Sequence, residues 1–118
     1  MPQRCVHVMR LVAAVGVALC AQAGASVPSL SDCLEGADFI ANAAQSRDNG
    51  MTRAAFMGRL AEDFVAIRAF PAELRWFVKD PDDERFLESA AEHVFTVPAA
   101  PAAHRTEFLR ACIDRLTG

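Results

Sequence analysis

The chain has 118 residues, 53% of them hydrophobic, with 12 basic and 15 acidic side chains and a formal net charge of −3. That length suits one small domain. An acidic chain with scattered arginines lacks the basic patch or stripe that nucleic acid or an anionic membrane surface would require.

The first predicted element is a targeting segment. Arg4 and Arg10 give a positive n-region, Leu11 to Leu19 an apolar h-region, and Ala23-Gly24-Ala25 the small-x-small pattern that fits a signal peptidase. The apolar run is shorter than the ~20 residues of a bilayer span and is interrupted by Gly16, so no stable membrane insertion is expected. Cys20 follows Leu19 rather than a small residue, which argues against lipidation. Residues 1–25 therefore read as a signal peptide cut after Ala25, and residues 26–118 as a single helical domain in a periplasmic or secreted setting. The remaining chain carries a net charge of about −5.

Cys5 and Cys20 leave with the leader, and Cys33 and Cys112 remain. Two cysteines near opposite ends of an exported chain read as one disulfide. Neither belongs to a Cys-x-x-Cys pair, so a thioredoxin-like role and haem attachment lack their motif, and no cofactor is expected.

Helix signals fill the rest. Abundant alanine and few clustered β-branched residues favour helix over strand. The first helix is predicted from about Asp32 to Asp48, capped by Ser31 or Asp32, with Asp32 and Glu35 at capping-box spacing. Leu30, Cys33, Ala37, Ile40, Ala41 and Ala44 form its apolar stripe. Asn49 or Gly50 takes the left-handed position that closes this helix, and Thr52 caps the next, from about Arg53 to Ala69. Phe56, Leu60, Phe64 and Ile67 recur there at helical spacing. Pro71 stops it, and a short helical piece is predicted from Ala72 to Val78. Asp80-Pro81-Asp82-Asp83-Glu84 is a capped, acid-rich helix start, with the helix continuing to about Phe95. Pro98 and Pro101 mark a link before a last helix from about Ala102 to Leu116. Joining Cys33 to Cys112 is simplest if the first and last helices run antiparallel. The expected fold is all-α: a compact bundle of four main helices plus one short helix, closed by one disulfide.

Chemical motifs are scarce. Aligning Gly50 with the glycine of a calcium-binding EF-hand loop puts Arg47 at a ligand position and Phe56 where the bidentate glutamate belongs, which defeats coordination. Asn49, Gly50 and Thr52 are left as a helix junction. Glu88, Glu92 and His93 crowd one helix and are the residues a small metal-dependent hydrolase would use. Their spacing completes no zinc motif, so they read as a solvated face with Arg85 as partner to Glu88, and no metal site is assigned. No serine lies in a Gly-x-Ser-x-Gly elbow, so the chain reads as non-enzymatic. Phe70, Arg75, Trp76 and Phe77, in a proline-bounded piece, form the candidate interaction surface for a protein partner or, in a ligand-binding protein, for a ligand; the alternative is that they lid the core.

Cys33, Arg47-Asp48-Asn49-Gly50, Val94-Phe95, the Pro98 to Pro101 link and Phe108 to Cys112 follow one another in a pattern that resembles small exported bacterial helical proteins of unassigned function. The resemblance spans the mature chain and implies export and the disulfide, but no reaction. In size, composition and cysteine economy the chain is also similar to acid-stress chaperones and to immunity proteins, which implies a binding role, immunity-like or chaperone-like.

Overall fold

The computed structural model describes residues 28–117. The expected leader, its cleavage point, Cys5 and Cys20 lie outside the described residues. Four α-helices follow one another: α1 (Leu30–Asp48), α2 (Arg53–Ile67), α3 (Pro81–Thr96) and α4 (Pro101–Thr117), with one 3-10 turn (Ala72–Leu74) before α3. No strand occurs among the described residues, and none of their helices is long and apolar enough to cross a membrane.

α1 starts earlier than its sequence suggests. Ser29 is the N-cap: its side chain accepts from the Asp32 N–H at 3.1 Å, and the Asp32 carboxylate accepts from the Ser29 N–H at 3.0 Å. The capping box is thus Ser29 with Asp32, because only that pair satisfies both orphan donors reciprocally. Asn49 then closes α1, Gly50 adopts a φ of 99°, and the Thr52 side chain accepts from the Ala55 N–H to open α2. Only glycine takes such a φ without strain, so the junction residues sit where turn chemistry placed them.

α4 returns along α1, and these two helices share the most extensive packing in the molecule. Cys33 near the start of α1 is bonded to Cys112 near the end of α4, across 79 residues of chain. The Arg105 guanidinium reaches Asp38 at 2.8 Å midway along the pair. The helices come close because Gly36 has no side chain. A Cβ there would lie 2.7 Å from Phe108 Cε1 and 3.2 Å from Phe77 Cδ2.

The core is Cys33, Ala37, Ile40, Ala43 and Ala44 of α1, Leu87, Ala91 and Val94 of α3, and Phe108 and Cys112 of α4, joined by Phe77 and Val78 from the α2–α3 connection. α2 lies at its edge and buries only Leu60 and Phe64. It runs antiparallel to α3, held by two arginine–glutamate forks. Arg53 at its start bonds Glu92, and Arg68 just past its end bonds Glu84 at 2.9 and 2.5 Å. The Arg68 hydrogen bond holds the Glu84 carboxyl below its usual range.

The predicted helix over Ala72 to Val78 shrinks to the single turn Ala72–Leu74. Arg75 is extended (φ −86°, ψ 150°), and the adjacent Phe77 and Val78 beyond it are both fully buried in the core. Asp83, in the first turn of α3, is buried and accepts from the Lys79 N–H at 3.1 Å and the Arg115 guanidinium at 3.0 Å. Burial raises its carboxyl above the usual value, against the pull of those two donors. Arg115 also covers the Phe86 ring at 4.5 Å.

Two substitutions of the same kind should have opposite signs. Gly36→Ala should destabilise, since overpacking costs about 1–3 kcal/mol and the gain in helix propensity recovers less than about 1. Gly58→Ala, in α2 with nothing within 4 Å of its Cβ position, should stabilise by about 0.5–1 kcal/mol. Urea titration of both variants checks this. Replacing Cys33 and Cys112 together by serine should cost about 4–5 kcal/mol on the chain-entropy account, read the same way; an unchanged denaturation midpoint would contradict it.

Candidate functional site

Two regions collect chemistry-bearing side chains. The first is the corner between α2 and α3. Phe70 precedes the 3-10 turn and Leu74 is its last residue, at 57% and 71% exposed, and Val65 near the end of α2 is exposed as well. The backbone of this corner is fixed by Arg75, whose guanidinium donates to the carbonyls of Phe70 (2.8 Å), Lys79 (3.1 Å) and Arg68 (3.2 Å). Lys79 adds bonds from its ammonium to the carbonyls of Arg75 and Trp76. Beside the corner a groove of about 320 Å³ is lined by Phe39, Leu60, Phe64, Ile67 and Trp76, with Asp63 at its edge.

Of the four residues expected at this surface, only Phe70 is freely presented. Phe77 has no exposed area and packs against Phe86 and Phe108 at 6.1 and 5.6 Å between ring centres, so it belongs to the core. Arg75 is a backbone staple rather than a binding anchor, because its donors are turned onto carbonyls. Trp76 is half-buried and joins two sets of rings. Phe95, Phe56 and Phe39 meet in succession on one side of it, and Phe77 with Phe108 lies on the other. Leu74, a lone leucine beside aromatics, carries no distinguishing sequence signal.

The second region is the α3–α4 link. Arg47, from the end of α1, reaches across it: Nη1 donates to the carbonyls of Val94 (2.8 Å) and Val97 (3.1 Å), and Nη2 to that of Ala99 (2.7 Å). Asp48 accepts from Nε and Nη2 at 3.0 and 2.8 Å and compensates the charge. Next to this clamp the His104 ring is buried, with Nε2 2.9 Å from the Val97 carbonyl. His93 Nε2 lies 2.9 Å from Glu107 Oε1, and the two imidazoles meet edge to face at 5.5 Å. A pocket of about 240 Å³ opens here, floored by Ile40, Phe86 and Phe108, with His93, His104 and Glu107 among its lining residues.

Glu88, Glu92 and His93 do not converge. Glu92 is forked to Arg53, Glu88 lines a groove facing α2 beside Arg68 and Glu84, and His93 turns toward Glu107. Arg85 pairs with Asp82, one turn earlier, rather than with Glu88. The grouping that a metal-dependent hydrolase would need fails because residues four apart share the α2 side of α3, whereas His93 is rotated about 100° from Glu92. His104 and Glu107 went unnoticed as partners of His93. Their spacing of three puts both on one helix face, but only the return of α4 brings that face to α3.

Replacing Arg47 by alanine frees three carbonyls and should cost about 1.5–3 kcal/mol, the range for hydrogen bonds to a charged group; Arg47→Lys, which cannot fork, should recover only part of this in thermal unfolding. No protein-family model, curated protein or solved structure matches the chain.

Proposed function

We propose that the chain is a non-enzymatic, exported protein-binding module, immunity-like or chaperone-like, whose working surface is the Phe70–Trp76 corner and the groove beside it. The observation that carries this reading is the exposure of Phe70 and Leu74 on a backbone held by Arg75. Single exposed leucines are ordinary. Here Phe70 and Leu74 fall in one corner, and Trp76, two residues further on, lines an apolar groove, as an interaction patch requires. Because the turn is held in place, a partner would order few residues on docking, which lowers the entropic cost of association. The partner this surface fits is a protein presenting an apolar side chain to the Phe39–Trp76 groove.

Export rests on the leader-like residues 1–25, and the Cys33–Cys112 bridge supports an oxidising compartment. The pattern resemblance to small exported helical proteins favours the same setting. A hydrolase built on Glu88, Glu92 and His93 loses support, since each is directed to a different neighbour.

Trp76 and Arg75 also hold the fold, so the decisive variant changes exposed residues only. Phe70→Ser combined with Leu74→Asp should leave unfolding within about 0.5 kcal/mol, as surface changes do. It should weaken partner capture from periplasmic extract by at least ~30-fold, the size of a hot-spot loss. Capture of the same partners by the double variant would overturn this surface.

A further inference from the structure

We propose that His93, His104 and Glu107 form a three-ligand site for a borderline divalent transition-metal ion, of which zinc is the representative. The site lies in the pocket between α3 and α4 and stands apart from the binding surface proposed above. One donor atom from each of the three residues lies within 4.8 Å of the others. Two imidazoles and one carboxylate suit zinc-like ions rather than magnesium or calcium, which prefer oxygen alone.

His104 is the buried member of the group. Its ring is 4% exposed, and Nε2 sits 2.9 Å from the Val97 carbonyl oxygen. A carbonyl only accepts, so Nε2 carries the proton and Nδ1 keeps the lone pair. Metal-binding histidines characteristically donate their second N–H to a backbone carbonyl in this way, which fixes the tautomer and the ring. The Val97 carbonyl is itself held by Arg47 at 3.1 Å. Arg47 approaches the ring at Nε2, at 3.5 Å, and Asp48 compensates its charge.

The other two ligands have room to adjust. His93 and Glu107 side chains are 43% and 63% exposed and touch each other at 2.9 Å. A tetrahedral ion with bonds near 2.05 Å needs donors ~3.3 Å apart, so closure asks for small rotations of these two chains while His104 stays fixed. The adjoining pocket of about 240 Å³ leaves space for water or a small anion at a fourth position. His93 is three residues from the end of α3 and His104 three past the start of α4, so the ion would fasten the two ends of the proline-bearing link together.

The test uses protein expressed from the full-length chain, purified, stripped with chelator and titrated with zinc chloride by calorimetry. The expected result is one equivalent bound, a raised Tm, and no competition from excess magnesium. His93→Ala and Glu107→Gln should each weaken zinc binding at least ~10-fold with unchanged helical circular dichroism. Glu88→Gln, on the α2 side of α3, should bind as the unaltered protein does. Glu107→Gln alters one exposed side chain, so it remains decisive if His93→Ala folds poorly. Absence of stoichiometric zinc binding, or binding undiminished in Glu107→Gln, would overturn the site.

Discussion

The fastening of α1 to α4 at two separated points is the constraint on which the remaining structure hangs. The Cys33–Cys112 bond closes one end. Arg47, 14 residues further along α1, closes the other by gathering carbonyls of the α3–α4 link. At 1.5 Å per residue these points are about 21 Å apart, enough to fix the direction of α4 as well as its position. Gly36 lies between them and lets the Phe108 ring settle on the α1 backbone. α3 then has little freedom: its last turn is held through the Val94 carbonyl and its first through Asp83 and Arg115. α2 is the exception, a helix added to the edge of a three-helix core.

α3 also divides the chemistry. Glu84, Glu88 and Glu92, four apart, turn toward α2, while Phe86, Ala90 and His93 turn toward α4. The groove proposed for a protein partner and the histidine pocket proposed for a metal ion share no lining residue. Occupying one leaves the other accessible, and each can be lost by substitution without touching the other.

Much of this architecture was legible in the sequence, because it is local. Periodic apolar residues, an Asp-Pro helix start, and Gly50 followed by Thr52 each state their structure within a turn or two. The Cys33–Cys112 pair was legible because the other two cysteines fall within the leader-like residues 1–25. Arg47 was not: nothing at the end of a helix shows that its guanidinium will find acceptors some fifty residues away. The same limit hid the meeting of His93 with His104 and Glu107. At Ala72 to Val78 the local helix preference was overridden by packing, since Phe77 and Val78 gain more by both entering the core. Ser29 displaced Ser31 at the start of α1 for a smaller reason, the reciprocal bond that only its spacing to Asp32 allows.

The two kinds of arginine contact in this molecule respond differently to acid. Arg47 holds neutral carbonyls, which do not titrate, and a disulfide is equally indifferent to protons over that range. Arg68 holds Glu84, whose carboxyl is lower in the folded chain than its ordinary 4.5. Such a group adds stability above the ordinary value and loses it as pH falls through the folded one. Asp83 has the reverse sign: its raised carboxyl makes the folded state relatively more favourable as pH falls through that raised value toward 3.8. Acidification thus removes the Arg68–Glu84 contribution to the tether of α2 while leaving the disulfide and the carbonyl bonds of Arg47 in place. The apolar face that this titrating contact helps to keep covered is that of Leu60 and Phe64 on α2.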